Sequence, residues 1–215
     1  METLEELYEI FYSVPDPGGS DEYLLTAIDN WLPKKNLTRK QIFQLLHVLD
    51  HKQENHTVTK NEKYACILGI FYYYGIGTPV NYELAFEHYK VSAESNDALG
   101  QNQLGYCYHY GTGTIKDRNA GFEWFRRSAM NGNICGQRTL GHYYYFALAC
   151  SRDYRQAFYW YMKAHESGNP RAARVIATCY FEGNGTFLDY HCGFRWARKT
   201  GRRYLHHAIS HYQST

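Results

Sequence analysis

The chain of 215 residues is 44% hydrophobic and 20% charged, enough apolar material for a sizeable core and too much for disorder. Its formal net charge of +2 is close to neutral, which argues against nucleic acid and leaves no global electrostatic signature of a membrane surface. The acidic start Met1-Glu2-Thr3-Leu4-Glu5-Glu6 lacks the basic opening and apolar stretch of a signal peptide. No run of about 18 apolar residues predicts a membrane span.

Leu4, Leu7, Tyr8 and Phe11 follow the i, i+3, i+4, i+7 spacing of an amphipathic helix over residues 3–12. Val14–Ser20, with two prolines and two glycines, reads as a loop. Leu24, Ala27, Ile28 and Trp31 repeat the spacing after a cap at Ser20, and Pro33 ends that helix. Thr38 and Gln41 form a capping box ahead of Ile42, Leu45, Leu46 and Leu49. These three helices are expected to form an N-terminal helical cap over residues 1–60, because the first unit of an array otherwise leaves an apolar face wet. The polar stretch His51–Asn61 is the expected connection between this cap and the remainder of the chain.

From residue 61 to 201 the sequence repeats itself at an interval of 36. Leu68-Gly69, Leu104-Gly105, Leu140-Gly141 and Ile176-Ala177 are in register, and Tyr72, Tyr108, Tyr144 and Tyr180 follow four residues after each Leu or Ile. Next come Gly75-Ile76-Gly77, Gly111-Thr112-Gly113, Ala147-Leu148-Ala149 and Gly183-Asn184-Gly185, then Asn81, Asp117, Asp153 and Asp189. Ala85-Phe86, Gly121-Phe122, Ala157-Phe158 and Gly193-Phe194 close the set, with Trp124, Trp160 and Trp196 in the last three copies. Leu68 and Tyr72, four apart, share one face of a helix. The glycines suit the left-handed end of that helix, and the Asn or Asp suits the N-cap of a second. One such helix–turn–helix cannot bury its own face, whereas four stacked copies can. Many of the 22 tyrosines fall at these packing positions.

The run of Leu-Gly, Tyr, Gly-x-Gly, Asp, Ala-Phe and Trp-Tyr, clearest over Gly100–Asn133, resembles the Sel-one-like repeat family, a relative of the tetratricopeptide repeat. The resemblance implies an all-α, right-handed α-solenoid of helix–turn–helix repeats (TPR-like) behind the N-terminal cap, with residues 202–215 as a C-terminal capping segment. Copy three departs from the pattern in Ala147 and Ala149, and copy four in Ala197 where an aromatic is usual. The arrangement is similar to fungal members of the family, where the repeats often accompany a kinase-like domain. A signalling complex with a kinase is therefore one partner that the resemblance implies.

The tail holds Arg195, Arg198, Lys199, Arg202 and Arg203, either a solvated helix face or a patch for an acidic or phosphate-bearing partner. In two-helix solenoids the first helices line the concave groove. With Leu68 and Tyr72 turned inward, the opposite face carries three ladders. They are Cys66, Asn102, Arg138 and Arg174; then Ile70, Tyr106, His142 and Thr178; then Tyr74, Tyr110, Phe146 and Glu182. Ile70, Tyr74, Asn102, Tyr106, Tyr110, Arg138, His142, Phe146, Arg174 and Glu182 are the candidate partner-binding residues, and aromatics beside Arg138 and Arg174 suit a peptide with a carboxylate.

No GxSxG, P-loop, HExxH or Rossmann fingerprint is present. His207 and His211 share a helix face without a third ligand, and His142 with Cys150 is a weak nucleophile pair. Neither catalytic residue, metal nor cofactor is expected. Cys66, Cys107, Cys135, Cys150, Cys179 and Cys192 show no paired spacing, which points to reduced thiols and a cytoplasmic location. The resemblance implies a non-catalytic protein–protein interaction scaffold or adaptor. The alternative is a nucleic acid or an acidic phospholipid held by the basic C-terminal patch.

Overall fold

The protein is described by a computed structural model at residues 2–13, 21–50, 53–54, 57–58 and 62–212; the expected loop Val14–Ser20, with its cap, lies outside these. The described helices run in order α1 (Glu2–Ser13), α2 (Asp21–Trp31), α3 (Arg39–Asp50), α4 (Glu62–Tyr74), α5 (Tyr82–Glu94), α6 (Ala98–Tyr110) and α7 (Arg118–Met130). They continue as α8 (Ile134–Phe146), α9 (Tyr154–Glu166), α10 (Ala172–Glu182), α11 (Tyr190–Lys199) and α12 (Arg202–Tyr212). Proline ends α2 as expected, since Pro33 sits in the first turn of a 3-10 segment, Leu32–Lys35. Within the stretch expected to be loop, β1 (Gln53–Glu54) and β2 (Thr57–Val58) form a small antiparallel ladder, Gln53 opposite Val58. The fold is of the all-α, TPR-like solenoid type, and the helices gather into two compact units, α1–α7 and α8–α12.

Local hydrogen bonding accounts for where the helices start and stop. Asn81, Asp117, Asp153 and Asp189 each accept amide hydrogens from the first turn of α5, α7, α9 and α11, at 2.9 Å for Leu84, Asn119, Gln156 and Cys192. The Thr38–Gln41 capping box forms, the Thr38 amide donating to Gln41 Oε1 at 2.8 Å and the Gln41 amide to Thr38 Oγ1 at 3.2 Å. Ala147 ends α8 in the left-handed conformation at φ 54, as Gly111 ends α6, so the third copy keeps the turn at a cost of about 1 kcal/mol.

Inside each repeat a glycine receives a ring from the second helix. A Cβ on Gly69 or Gly105 would stand 2.7 or 2.8 Å from the rings of Tyr89 and Phe125, and one on Gly141 3.2 Å from Tyr161. The fourth repeat has Ala177 and Ala197 at these two positions, both buried, and there the exchange is reversed: Phe181 of α10 lies over Gly193 of α11. Ring and glycine have changed helices while the filled volume is kept, which is why Ala197 stands where an aromatic is usual.

The N-terminal helices share one core with the first repeats, running from Leu7, Phe11 and Ile28 through Ile42 and Leu46 to Phe71, Tyr89 and Leu104. α3 stands to α4 as α5 stands to α6. Phe43, the fifth residue of α3, meets Tyr72 edge-on at 5.4 Å and 86°, and Phe86, the fifth of α5, meets Tyr108 at 5.5 Å and 88°. Gly77 lies against the backbone of Arg39 just as Gly113 lies against that of Tyr82. α3 thus packs on α4 as the second helix of one repeat packs on the first helix of the next. Asp50, at its end, reaches His88 Nε2 at 3.9 Å in the buried interior.

Candidate functional site

At about 100° per residue, Tyr64, Ile67 and Phe71 lie nearly opposite Gly69, which faces α5. α1 occupies that opposite face. Tyr8 meets Tyr64 edge-on at 6.2 Å, Phe11 meets Phe71 at 6.4 Å, and Lys63 pairs with Glu5 at 2.5 Å. Tyr12 OH donates to Asp97 Oδ2 at 2.7 Å, where Asp97 also caps α6 by accepting from Leu99 and Gly100. Ile70 is in consequence fully buried, and the expectation that it lines an open groove is corrected.

Asn102 is corrected too, being 3% exposed. Its position lies about 60° from the glycine that faces the second helix, so a short side chain leans back into the stack. Cys66, one repeat earlier, is buried for the same reason. Only a long side chain escapes, and Arg138 and Arg174 at the equivalent positions are half-buried and exposed. The first unit does present aromatics. Tyr106 is half-buried and stacks at 6.2 Å and 11° on Tyr110, which is 66% exposed, while half-buried Tyr74 meets Tyr73 at 4.7 Å.

In the second unit, Arg138, His142 and Phe146 follow at i, i+4, i+8 along α8. His142 and Phe146 are exposed with ring centroids 4.5 Å apart. Arg138 Nε and the hydroxyl of Tyr161 are both buried without a hydrogen-bond partner among the described residues. Burial pushes the Tyr161 phenol well up, against the opposing pull of the Arg138 cation. Arg174 is exposed on α10, but its neighbours are engaged. Thr178 Oγ1 lies 2.9 Å from Tyr204 OH of α12, and Glu182 Oε2 accepts from Tyr145 OH at 3.1 Å and Asn184 Nδ2 at 2.7 Å. Burial and Glu182 together hold the Tyr145 phenol up at about 12.

Of the basic patch, Arg195, Arg198 and Lys199 are exposed on α11 without a carboxylate partner among the described residues, and Lys199 Nζ sits 3.8 Å over the Trp196 ring. The side chains of Arg202 and Arg203, like those of His207 and His211, lie outside the described set. The near-neutral total charge conceals a partition at the boundary between the units. Residues 1–131 carry twelve Lys and Arg against seventeen Asp and Glu, a net −5, and residues 132–215 carry eleven against four, a net +7. Counting charge repeat by repeat, instead of over the whole chain, finds this signal without a structure.

None of the six cysteines forms a disulfide, four of them are buried, and burial pushes Cys107 and Cys179 up to about 12. Cys150 Sγ donates to the Tyr143 carbonyl at 3.7 Å, and burial raises its pKa, the opposite of an activated nucleophile. Among the described residues no three His, Cys, Asp or Glu are grouped to hold a metal, and no helix is long and apolar enough to cross a membrane.

No curated protein sequence matches the chain significantly. Among solved structures, a Sel1 repeat protein from Oxalobacter formigenes is similar at 27% identity and a TM-score of 0.69, over 82% of this chain and 66% of that one. A protective antigen present in uropathogenic Escherichia coli strains and displaying an SLR fold is 20% identical, with a TM-score of 0.63, over 92% of this chain and 44% of that one. The second likeness speaks to the fold alone, and this chain spans about two thirds of the first structure and less than half of the second. The kinase-bearing complex finds no support in these likenesses. The profile described as Sel1 repeat matches four consecutive segments, residues 63–97, 98–133, 136–169 and 170–203, and the chain belongs to the Sel1 repeat family.

Proposed function

We propose that this chain is a non-catalytic scaffold or adaptor that holds an acidic protein segment along α8 and α10, at Arg138, His142, Phe146 and Arg174. Sel1 repeats in general are protein-interaction scaffolds and the fold is typically non-catalytic, which supports the broader part of this reading. The observation that carries the finer part is the group Arg138, His142 and Phe146: an arginine with a buried, unpaired Nε beside an exposed aromatic pair, with Arg174 one repeat on. Arginine supplies the charged hydrogen bonds to a carboxylate, and the rings supply contact area at low entropic cost.

Affinity capture from a cell lysate tests it. Arg138→Ala with Arg174→Ala is expected to lose, by about tenfold or more, a protein that the native chain retains. His142→Ala with Phe146→Ala should weaken the same capture. Identical protein sets from all three forms, each shown folded by circular dichroism, would sink the proposal.

A cytoplasmic site of action accompanies this reading, supported by six cysteines that form no disulfide. Protein isolated without reductant and titrated after denaturation is expected to show all six; a titre of two fewer would mean a disulfide and an oxidising compartment.

A further inference from the structure

The second helices of the repeats present one outward face each, and equivalent positions can be compared along the array. On α5 this face holds exposed Glu83, Glu87, Lys90 and Glu94; on α7, Glu123 is paired with Arg126 at 2.8 Å and Arg127 is exposed. On α9 the same face holds Arg155, Tyr159 and Lys163, with Arg152 just ahead of the Asp153 cap, and on α11 it holds His191, Arg195, Arg198 and Lys199, all exposed. The two basic faces lie side by side within the second unit, where His165 of α9 meets Trp196 of α11 edge-on at 4.7 Å. Glu166 is the one carboxylate on the exposed face of α9, and Asp189 is occupied by the first amides of α11. Just ahead of α11, the turn puts two apolar side chains into solvent. Phe187 is 91% exposed and Leu188 57%, both directly ahead of the Asp189 cap of α11.

We infer that the outer face of α9 and α11 is a docking surface for an anionic phospholipid bilayer. The cations of Arg152, Arg155, Lys163, Arg195, Arg198 and Lys199 meet the headgroups while Phe187 and Leu188 enter the acyl boundary. Charge alone suits any polyanion. The exposed Phe–Leu turn decides for a bilayer, because a nucleic-acid backbone offers no apolar phase for a leucine, whereas interfacial lipid binding combines buried apolar side chains with basic ones. The face shares no residue with the α8–α10 surface, so it leaves that surface free for a protein.

The test is sedimentation of the full chain with vesicles of phosphatidylcholine alone and with about 30 mol% phosphatidylserine. Binding is expected only to the second, and it falls as salt rises. Arg155→Ala, Arg195→Ala and Arg198→Ala combined should weaken it by about fivefold per cation removed. Arg195→Lys with Arg198→Lys should retain it, since a bilayer reads charge. Phe187→Ser with Leu188→Ser, both on an exposed turn, should weaken it by about tenfold without changing the circular dichroism. Equal binding to both vesicles, or to neither, overturns the inference. Binding that ignores the Phe187 and Leu188 substitutions while an RNA or DNA oligomer displaces the vesicles overturns it in favour of nucleic acid. Because Arg138 and Arg174 stay native throughout, failure here leaves the protein-binding proposal standing, and the reverse.

Discussion

Phe125→Ala is expected to lower stability by about 3–5 kcal/mol, measured as a fall in the urea midpoint of unfolding. Phe125 is fully buried at the centre of the second repeat, with its ring over Gly105 and edge-on to Tyr106 at 4.9 Å. Removing it opens a cavity against a residue with no side chain to move in, so collapse recovers little. Tyr110→Ala, at a 66% exposed position of the neighbouring helix, is the control and should stay within about 0.5 kcal/mol. Gly105→Ala alone over-packs the same contact and costs about 1–3 kcal/mol. The double variant Gly105→Ala with Phe125→Ala should lose less than the sum, as expected for residues in direct contact and as the natural Ala177–Ala197 pair suggests. A loss below about 1 kcal/mol for Phe125→Ala would contradict the account of the repeat interior.

Gly113→Ala and Gly132→Ala form the second expectation, because the two glycines share a backbone conformation and differ in clearance. Both have positive φ, 68 and 83. A Cβ on Gly132 meets nothing within 4 Å, so Gly132→Ala carries only the left-handed penalty of about 1 kcal/mol. On Gly113 the same Cβ runs into the carbonyl of Tyr82 at the start of α5, and backbone cannot swing aside as a side chain can. That over-packing adds to the penalty, for about 3 kcal/mol in all. Thermal unfolding of the two variants checks this. Equal shifts would mean that the second glycine of the turn is kept for φ alone and not for the close approach of consecutive repeats.

The candidate surface was readable in the sequence only in part. Arg138, His142, Phe146, Arg174 and Tyr110 were picked out by helical spacing, and they reach solvent because they are long or lie far enough round the helix. Ile70 and Asn102 satisfied the same spacing and are buried, since periodicity names a face and says nothing about what covers it. The basic face of α9 and α11 went the other way. Arg195, Arg198 and Lys199 stand out in the sequence as a basic run, whereas Arg152, Arg155 and Lys163 belong to a charge partition that a whole-chain total cancels.

Local chemistry along the chain was enough for the period of 36, the helix pairs, the N-caps at Asn81, Asp117, Asp153 and Asp189, and the left-handed ends. Each of these depends on hydrogen bonds and steric limits within a few residues. It took the folded molecule to show that α1 lies over α4, that α3 packs on α4 as α5 does on α6, and that in the fourth copy the ring comes from the first helix and the glycine from the second. Those arrangements rest on contacts between segments far apart in the chain, such as Tyr12 with Asp97 across 85 residues. Many apolar helices could cover α4 equally well by pattern, and the choice is made by which side chains fit together in three dimensions.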